Sequence, residues 1–159
     1  MTASSAFQSL HPRIQRYLWT EQWEALREVQ ELAIPLVLSA DRDVIIAAST
    51  ASGKTEAAFL PALTHLLNTD EEGLIVYISP LKALINDQFE RLQRLCEDLE
   101  VPVWPWHGDV SGSTKQRFFK HPRGVLLITP ESLEAMLCNR GTSVAAAFSK
   151  LLYVVVDEL

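Results

Sequence analysis

Val44-Ile45-Ile46-Ala47-Ala48-Ser49-Thr50-Ala51-Ser52-Gly53-Lys54-Thr55 runs from an apolar stretch through a short polar loop into a helix-forming segment, residues 56–67. An apolar run, a loop and an amphipathic segment in that order predict a strand that delivers its loop to a helix N-terminus. Backbone N–H groups at such an N-terminus, with the helix dipole behind them, suit phosphate oxygens. Gly53 would let the backbone approach an anion with no β-carbon in the way. Lys54 would reach the β- and γ-phosphates of a nucleotide, and Thr55 would offer its hydroxyl to magnesium. Gly-Lys-Thr alone is a weak signal, and its place between strand and helix is what makes it specific.

Outward from this loop the chain alternates. Short apolar runs at 44–47, 74–78, 101–106, 125–128 and 151–156 lack a clean polar–apolar alternation and predict strands buried on both faces. Between them, residues 54–67, 81–99, 114–119 and 131–137 predict helices. Before the first strand, Trp23, Leu26, Val29, Ala33, Leu36 and Val37 recur at roughly helical spacing, with a break expected at Pro35. This order implies an α/β fold with a parallel sheet and helices on both faces. In such a sheet ligands lie beyond the C-terminal ends of the strands, so the informative residues should follow each apolar run. After the last run comes Asp157-Glu158, an acidic pair suited to holding magnesium and orienting a water.

The chain has 159 residues, 48% of them hydrophobic, enough for one sizeable core. No apolar run reaches the ~18 residues of a membrane span, and the expectation is a soluble, cytoplasmic protein without a membrane partner. Cys96 and Cys138 are far apart, without metal-ligand spacing, and read as reduced thiols on two helices. A net charge of −6 weighs mildly against nucleic-acid binding, unless the contacts are local and made in one groove. Trp104 and Trp106 sit in a strand run, so at least one of them reads as core, and a base-stacking platform is not expected. His107 reads as a strand-end structural residue.

Six matches stand in order along the chain: Gln30; Ala48 to Thr55; Ser79-Pro80-Leu81-Lys82-Ala83-Leu84; His107-Gly108-Asp109; Thr129-Pro130-Glu131; and Asp157-Glu158-Leu159. This series resembles the first half of a superfamily 2 helicase, most of all the DEAD/DEAH-box enzymes of the large helicase-related type. The resemblance implies a RecA-like P-loop NTPase lobe over residues 41–159, incomplete at its C-terminus, preceded by a helical segment over 1–40 that carries the adenine-recognising Gln30. It implies ATP and Mg²⁺ as cofactors. Ser49, Thr50, Ala51, Ser52, Gly53, Lys54 and Thr55 would hold the nucleotide, Thr55 and Asp157 the metal, and Lys54, Asp157 and Glu158 would serve catalysis. Pro80, Lys82, Gly108 and Thr129 match positions that line a groove for single-stranded or duplex nucleic acid, mainly by phosphate contacts.

A second RecA-like lobe is the other implied partner, because it supplies arginines to the γ-phosphate; without it the chain is expected to hydrolyse ATP poorly. Ala51 departs from the glycine usual in the family and would crowd the phosphates or resist a positive φ. Taken without the resemblance, Gln30 reads as a solvated helix residue and Lys82 as a surface lysine at a helix start. The implied function is the ATP-binding lobe of a nucleic-acid helicase or translocase. The competing expectation is a non-catalytic module, derived from a helicase, that binds a nucleotide or a partner without turnover.

Overall fold

The computed structural model describes residues 4–49, 52–69 and 72–158. Thr50 and Ala51 lie outside the described residues. The rest falls into two compact units that divide after Thr69.

The first unit is helical: α1 (Ser5–Ser9), α2 (Pro12–Thr20), α3 (Glu28–Ser39) and α4 (Lys54–Asn68). Local capping starts the first two. Ser4 Oγ accepts from Phe7 N–H at 3.1 Å, and His11 Nδ1 accepts from Arg13 N–H at 3.2 Å with Pro12 in the first helical turn. Thr64, buried within α4, ties α2 down by accepting the His11 N–H at 3.1 Å. α3 packs along α4, burying Ala33 and Ile34 of the one helix and Ala57, Leu60 and Leu63 of the other.

Three expectations are corrected here. Pro35 does not break the helix, because it lies on an exposed stretch of α3 where the carbonyl it leaves unpaired can be solvated. Trp23 and Leu26 precede α3 in irregular chain rather than joining it. Residues 44–47 form no strand either: no described residue pairs with them in a ladder, and Ile45 is 83% exposed. An apolar, β-branched stretch becomes a strand only where a partner takes up its backbone groups.

The second unit is a four-stranded sheet in the order β2-β3-β1-β4, with every pairing parallel. Its strands are β1 (Leu74–Ile78), β2 (Val103–Trp106), β3 (Gly124–Ile128) and β4 (Leu151–Val156). They alternate with α5 (Lys82–Asp98), α6 (Gly112–Lys120) and α7 (Pro130–Ala147). Side chains alternate between faces along each strand. Leu74, Val76, Trp106, Leu126 and Ile128 join Phe118 of α6 and Met136, Val144 and Ala147 of α7 in one core. α5 packs against β2 and β3, with Ile85, Leu92, Leu95 and Cys96 buried. Burial pushes the Cys96 thiol up to about 12, while Cys138 is exposed; both are free.

β1 and β3 are buried on both faces as expected, but β4 is not: Val154 and Val156 are 52% and 45% exposed. β4 is one edge of the sheet and, among the described residues, bonds on one side only, to β1. The helix expected over 131–137 runs on to Ala147, with Arg140 at φ −138° marking a kink between two helical pieces. Gly124 opens β3 at φ +88°, where a β-carbon would meet the Pro102 carbonyl oxygen at 2.1 Å. Only glycine fits there.

Candidate nucleotide and nucleic-acid sites

In the first unit the turn into α4 carries the phosphate-loop candidates. Gly53 is its N-cap, at φ +91°, a left-handed conformation that costs other residues roughly 1–2 kcal/mol. A β-carbon there would lie 2.5 Å from Gln30 Nε2, so the glycine answers to a close approach as well as to its backbone angle. Gly53, as the N-cap, brings no side chain to the start of α4. Lys54 Nζ donates to the Ala48 carbonyl at 2.9 Å and so spans the loop. Ser52 N–H donates to the Ser49 carbonyl at 3.3 Å, and Ser52 Oγ is buried without a hydrogen-bond partner among the described residues. Thr55 is half-buried and Ser49 exposed.

Gln30 is 1% exposed, which excludes a solvated helix position. Its Oε1 accepts the Arg27 N–H at 2.9 Å, satisfying one of the free donors at the start of α3, and its Nε2 donates to Gly53 O at 3.3 Å. One amide therefore joins α3 to the turn that carries Lys54. A second amide hydrogen and a second lone pair remain uncommitted by these two bonds.

In the second unit the candidates follow the strand ends, as a parallel sheet requires. Asp157 N–H extends the β4 ladder by donating to Ile78 O at 2.9 Å. The Tyr77 hydroxyl donates to Asp157 Oδ2, and Asp157 Oδ1 accepts the Glu158 N–H at 3.1 Å. Burial first, and then the hydrogen bond and charge of Asp157, hold the Tyr77 phenol well above its ordinary range, so it stays a donor. Glu158 is exposed and sits at φ +58°.

Pro80 and Lys82 are exposed around the start of α5, whose N-cap, Leu81, offers no side-chain bond. Lys82 Nζ donates to Asp109 Oδ2 at 3.0 Å, and Gly108 is so placed that a β-carbon on it would lie 3.8 Å from that nitrogen. The sheet thus brings Lys82 and Gly108 together from the loops after β1 and β2. These loops flank β3, whose own C-terminal end carries Thr129. Thr129 is 5% exposed and caps α7: its Oγ1 accepts the Ser132 N–H at 3.4 Å and donates to Ser132 Oγ at 3.0 Å. His107 is buried, with Nε2 3.2 Å from Asn86 Oδ1.

Trp104 and Trp106 meet Phe118 edge-on, with ring centroids 6.0 and 5.6 Å away, and Trp104 Nε1 donates to Arg123 O. They are packing residues. Sequence reasoning missed Tyr77 and Asn86 as partners of site residues and left Asp109 without a role. A lone tyrosine in the aliphatic run Leu-Ile-Val-Tyr-Ile was the only hint of the first.

The family model described as DEAD/DEAH box helicase matches residues 27–159. The chain belongs to the DEAD/DEAH-box helicases. It is 29% identical over 99% of its length to the ATP-dependent helicase Lhr-Core of Methanothermobacter thermautotrophicus, of which it spans 20%. With the Sulfolobus acidocaldarius protein of the same name it shares 32% over 93% of its length, spanning 18% of that relative. The chain therefore covers about a fifth of the curated relatives it matches.

Among solved structures it is similar to the helicase MrfA bound to DNA and AMPPNP (TM-score 0.83, 26% identity, 94% of this chain and 21% of that one). It is also similar to the Mycobacterium smegmatis helicase Lhr bound to ssDNA and AMP-PNP (TM-score 0.79, 27% identity, 98% of this chain and 21% of that one). As a DEAD/DEAH-box helicase chain it carries the N-terminal RecA-like lobe of superfamily 2. No helix among the described residues is long and apolar enough to cross a membrane.

Proposed function

We propose that this chain is the nucleotide-binding part of an ATP-dependent helicase or translocase, with residues 1–40 as a helical lead and 41–159 as the ATP-binding domain. The observation that carries the proposal is the turn into α4: a glycine at φ +91° as the N-cap, a lysine spanning the loop and a buried serine oxygen without a hydrogen-bond partner among the described residues. Each suits a polyphosphate. Lys54 would exchange the neutral Ala48 carbonyl for β- and γ-phosphate oxygens, and the first N–H groups of α4 would take further ones. Ser49, Thr50, Ala51 and Ser52 would supply the rest of the cradle. Gln30 holds the turn against α3 and keeps one amide hydrogen and one lone pair for an adenine edge.

Magnesium fits the donors by type. Thr55 offers a hydroxyl and Asp157 a carboxylate, hard oxygens of the kind Mg²⁺ takes, while no group of three or more His, Cys, Asp or Glu gathers among the described residues. A cation that keeps waters and phosphate oxygens needs no larger protein cage. When bound it would neutralise phosphate charge. Tyr77 fixes the carboxylate of Asp157, and Glu158, exposed beside it, would orient a water.

Pro80, Lys82, Gly108 and Thr129 are proposed to line a groove for a nucleic-acid strand, with backbone phosphates the expected contacts. A second RecA-like lobe is proposed to complete the catalytic site. The test is titration of a fluorescent ATP analogue with Mg²⁺ into wild type and Lys54→Ala, with folding checked by circular dichroism. Saturable binding weakened about 10- to 100-fold in the variant is expected, the loss of a charge-assisted contact. Equal binding by the two would sink the assignment of the phosphate loop.

A further inference from the structure

Lys82 is already engaged by an anion of its own chain. Its ammonium meets Asp109 Oδ2 at 3.0 Å with both side chains exposed, 54% and 74%, so charge rather than burial holds the pair. The hydrogen bond to Lys82, and after it the lysine charge, keeps the Asp109 carboxyl below the usual carboxylate range. The same Oδ2 lies 3.9 Å from Nδ1 of His107, a buried nitrogen with no hydrogen-bond partner among the described residues. The carboxylate thus stands between two nitrogens and is bonded to one.

To an ammonium, a carboxylate and a phosphodiester present the same face: two oxygens sharing a negative charge. Taking Lys82 as a backbone contact, as proposed above, we infer that Asp109 is a built-in competitor that occupies the phosphate position on Lys82 and must be exchanged for the nucleic-acid backbone when a strand binds. The exchange has somewhere to lead. A shift of about 1 Å toward the ring brings the released carboxylate within hydrogen-bond range of His107 Nδ1, which donates when the ring carries a proton there. Because an exposed ion pair is weak, the competition lowers affinity without abolishing it. Asp109 is therefore a residue that sets how readily the groove lets go.

The opposite role is equally concrete: Asp109 could position Lys82 for the phosphate, and then its removal would weaken binding. The sign decides. Binding of a labelled single-stranded oligodeoxythymidine to the full chain would be followed by anisotropy at fixed salt for wild type, Lys82→Ala, Asp109→Asn and the double variant. Asp87→Asn, an exposed α5 carboxylate changed by the same charge, serves as the control. Asp109→Asn is expected to tighten binding roughly two- to fivefold, the range an exposed pair can return. Asp87→Asn should give a smaller gain, and in the Lys82→Ala background the gain from Asp109→Asn should fall to that of the control. Unchanged or weaker binding by Asp109→Asn, a gain undiminished without Lys82, or an equal gain from Asp87→Asn overturns the inference while leaving the Lys82 contact standing. Binding untouched by Lys82→Ala overturns the contact and the inference together.

Discussion

The turn into α4 and the loop after β2 each hold a lysine, and they hold it with different oxygens. Lys54 donates to the backbone carbonyl of Ala48, whereas Lys82 donates to the carboxylate of Asp109. A phosphate binding as proposed would displace a neutral acceptor at the first and a charge equal in sign to its own at the second. The surroundings differ in the same way. Gly53 is fixed by its backbone angle and by Gln30, which is 1% exposed, while the Lys82 pair stands in solvent. A site made from backbone and a buried amide keeps its shape, and a site made from exposed charges changes partners.

The largest effect expected from breaking this contrast is on the buried side. Gly53→Ala should lower folding stability by about 2 kcal/mol, combining left-handed strain with the loss of the bond from Gln30 to Gly53 O. Urea melts should show a lower midpoint at an unchanged slope. A cost under about 0.5 kcal/mol would mean that the turn relaxes freely and is not preset. Tyr77→Phe should cost less, about 1 kcal/mol, since one hydrogen bond to Asp157 is lost. Because the folded phenol titrates above its ordinary value, wild type should hold this advantage in full below about pH 10 and lose it as pH rises toward the folded value. Melts of both proteins at neutral pH and above pH 10 check the sign, and an advantage that grew with pH would refute it.

The same contrast explains what could be read from the sequence. β1 and β3 were legible because a continuous apolar run with turn residues on either side has few other uses; β3 is buried throughout and β1 at every residue but Ile78. Residues 44–47 have the same composition and form no strand, since composition specifies what a strand packs against and not whether a ladder partner bonds to it. The helix that follows Gly53 was legible from its amphipathic run, and Gly53 and Lys54 stand at its start as expected, whereas the strand expected before the loop did not form. The partners that tune the site residues were not legible. Tyr77 and Asp157 are 80 positions apart and Lys82 and Asp109 are 27 apart, so only the parallel order of the sheet brings each pair together. Gln30 was singled out for an adenine edge, but its bond to Gly53 joins residues 23 apart and could not be read.

The smallest effect expected is the one that best separates the two regions. Lys82→Ala should change folding stability by less than about 0.5 kcal/mol, because an ion pair exposed on both sides returns to water almost what it gains. Asp109 left behind at 74% exposure is solvated rather than stranded, and Lys82 itself is exposed, so little buried apolar contact goes with its side chain. The change should also be insensitive to salt beyond a few tenths of a kcal/mol, since little attraction remains to screen. A loss above about 1 kcal/mol would instead show that Lys82 and Asp109 structurally fasten the start of α5 to the loop after β2. Any fall in nucleic-acid binding by the same variant would then report a disturbed loop, and the contrast between a preset site and an exchangeable one would collapse into two sites held by shape.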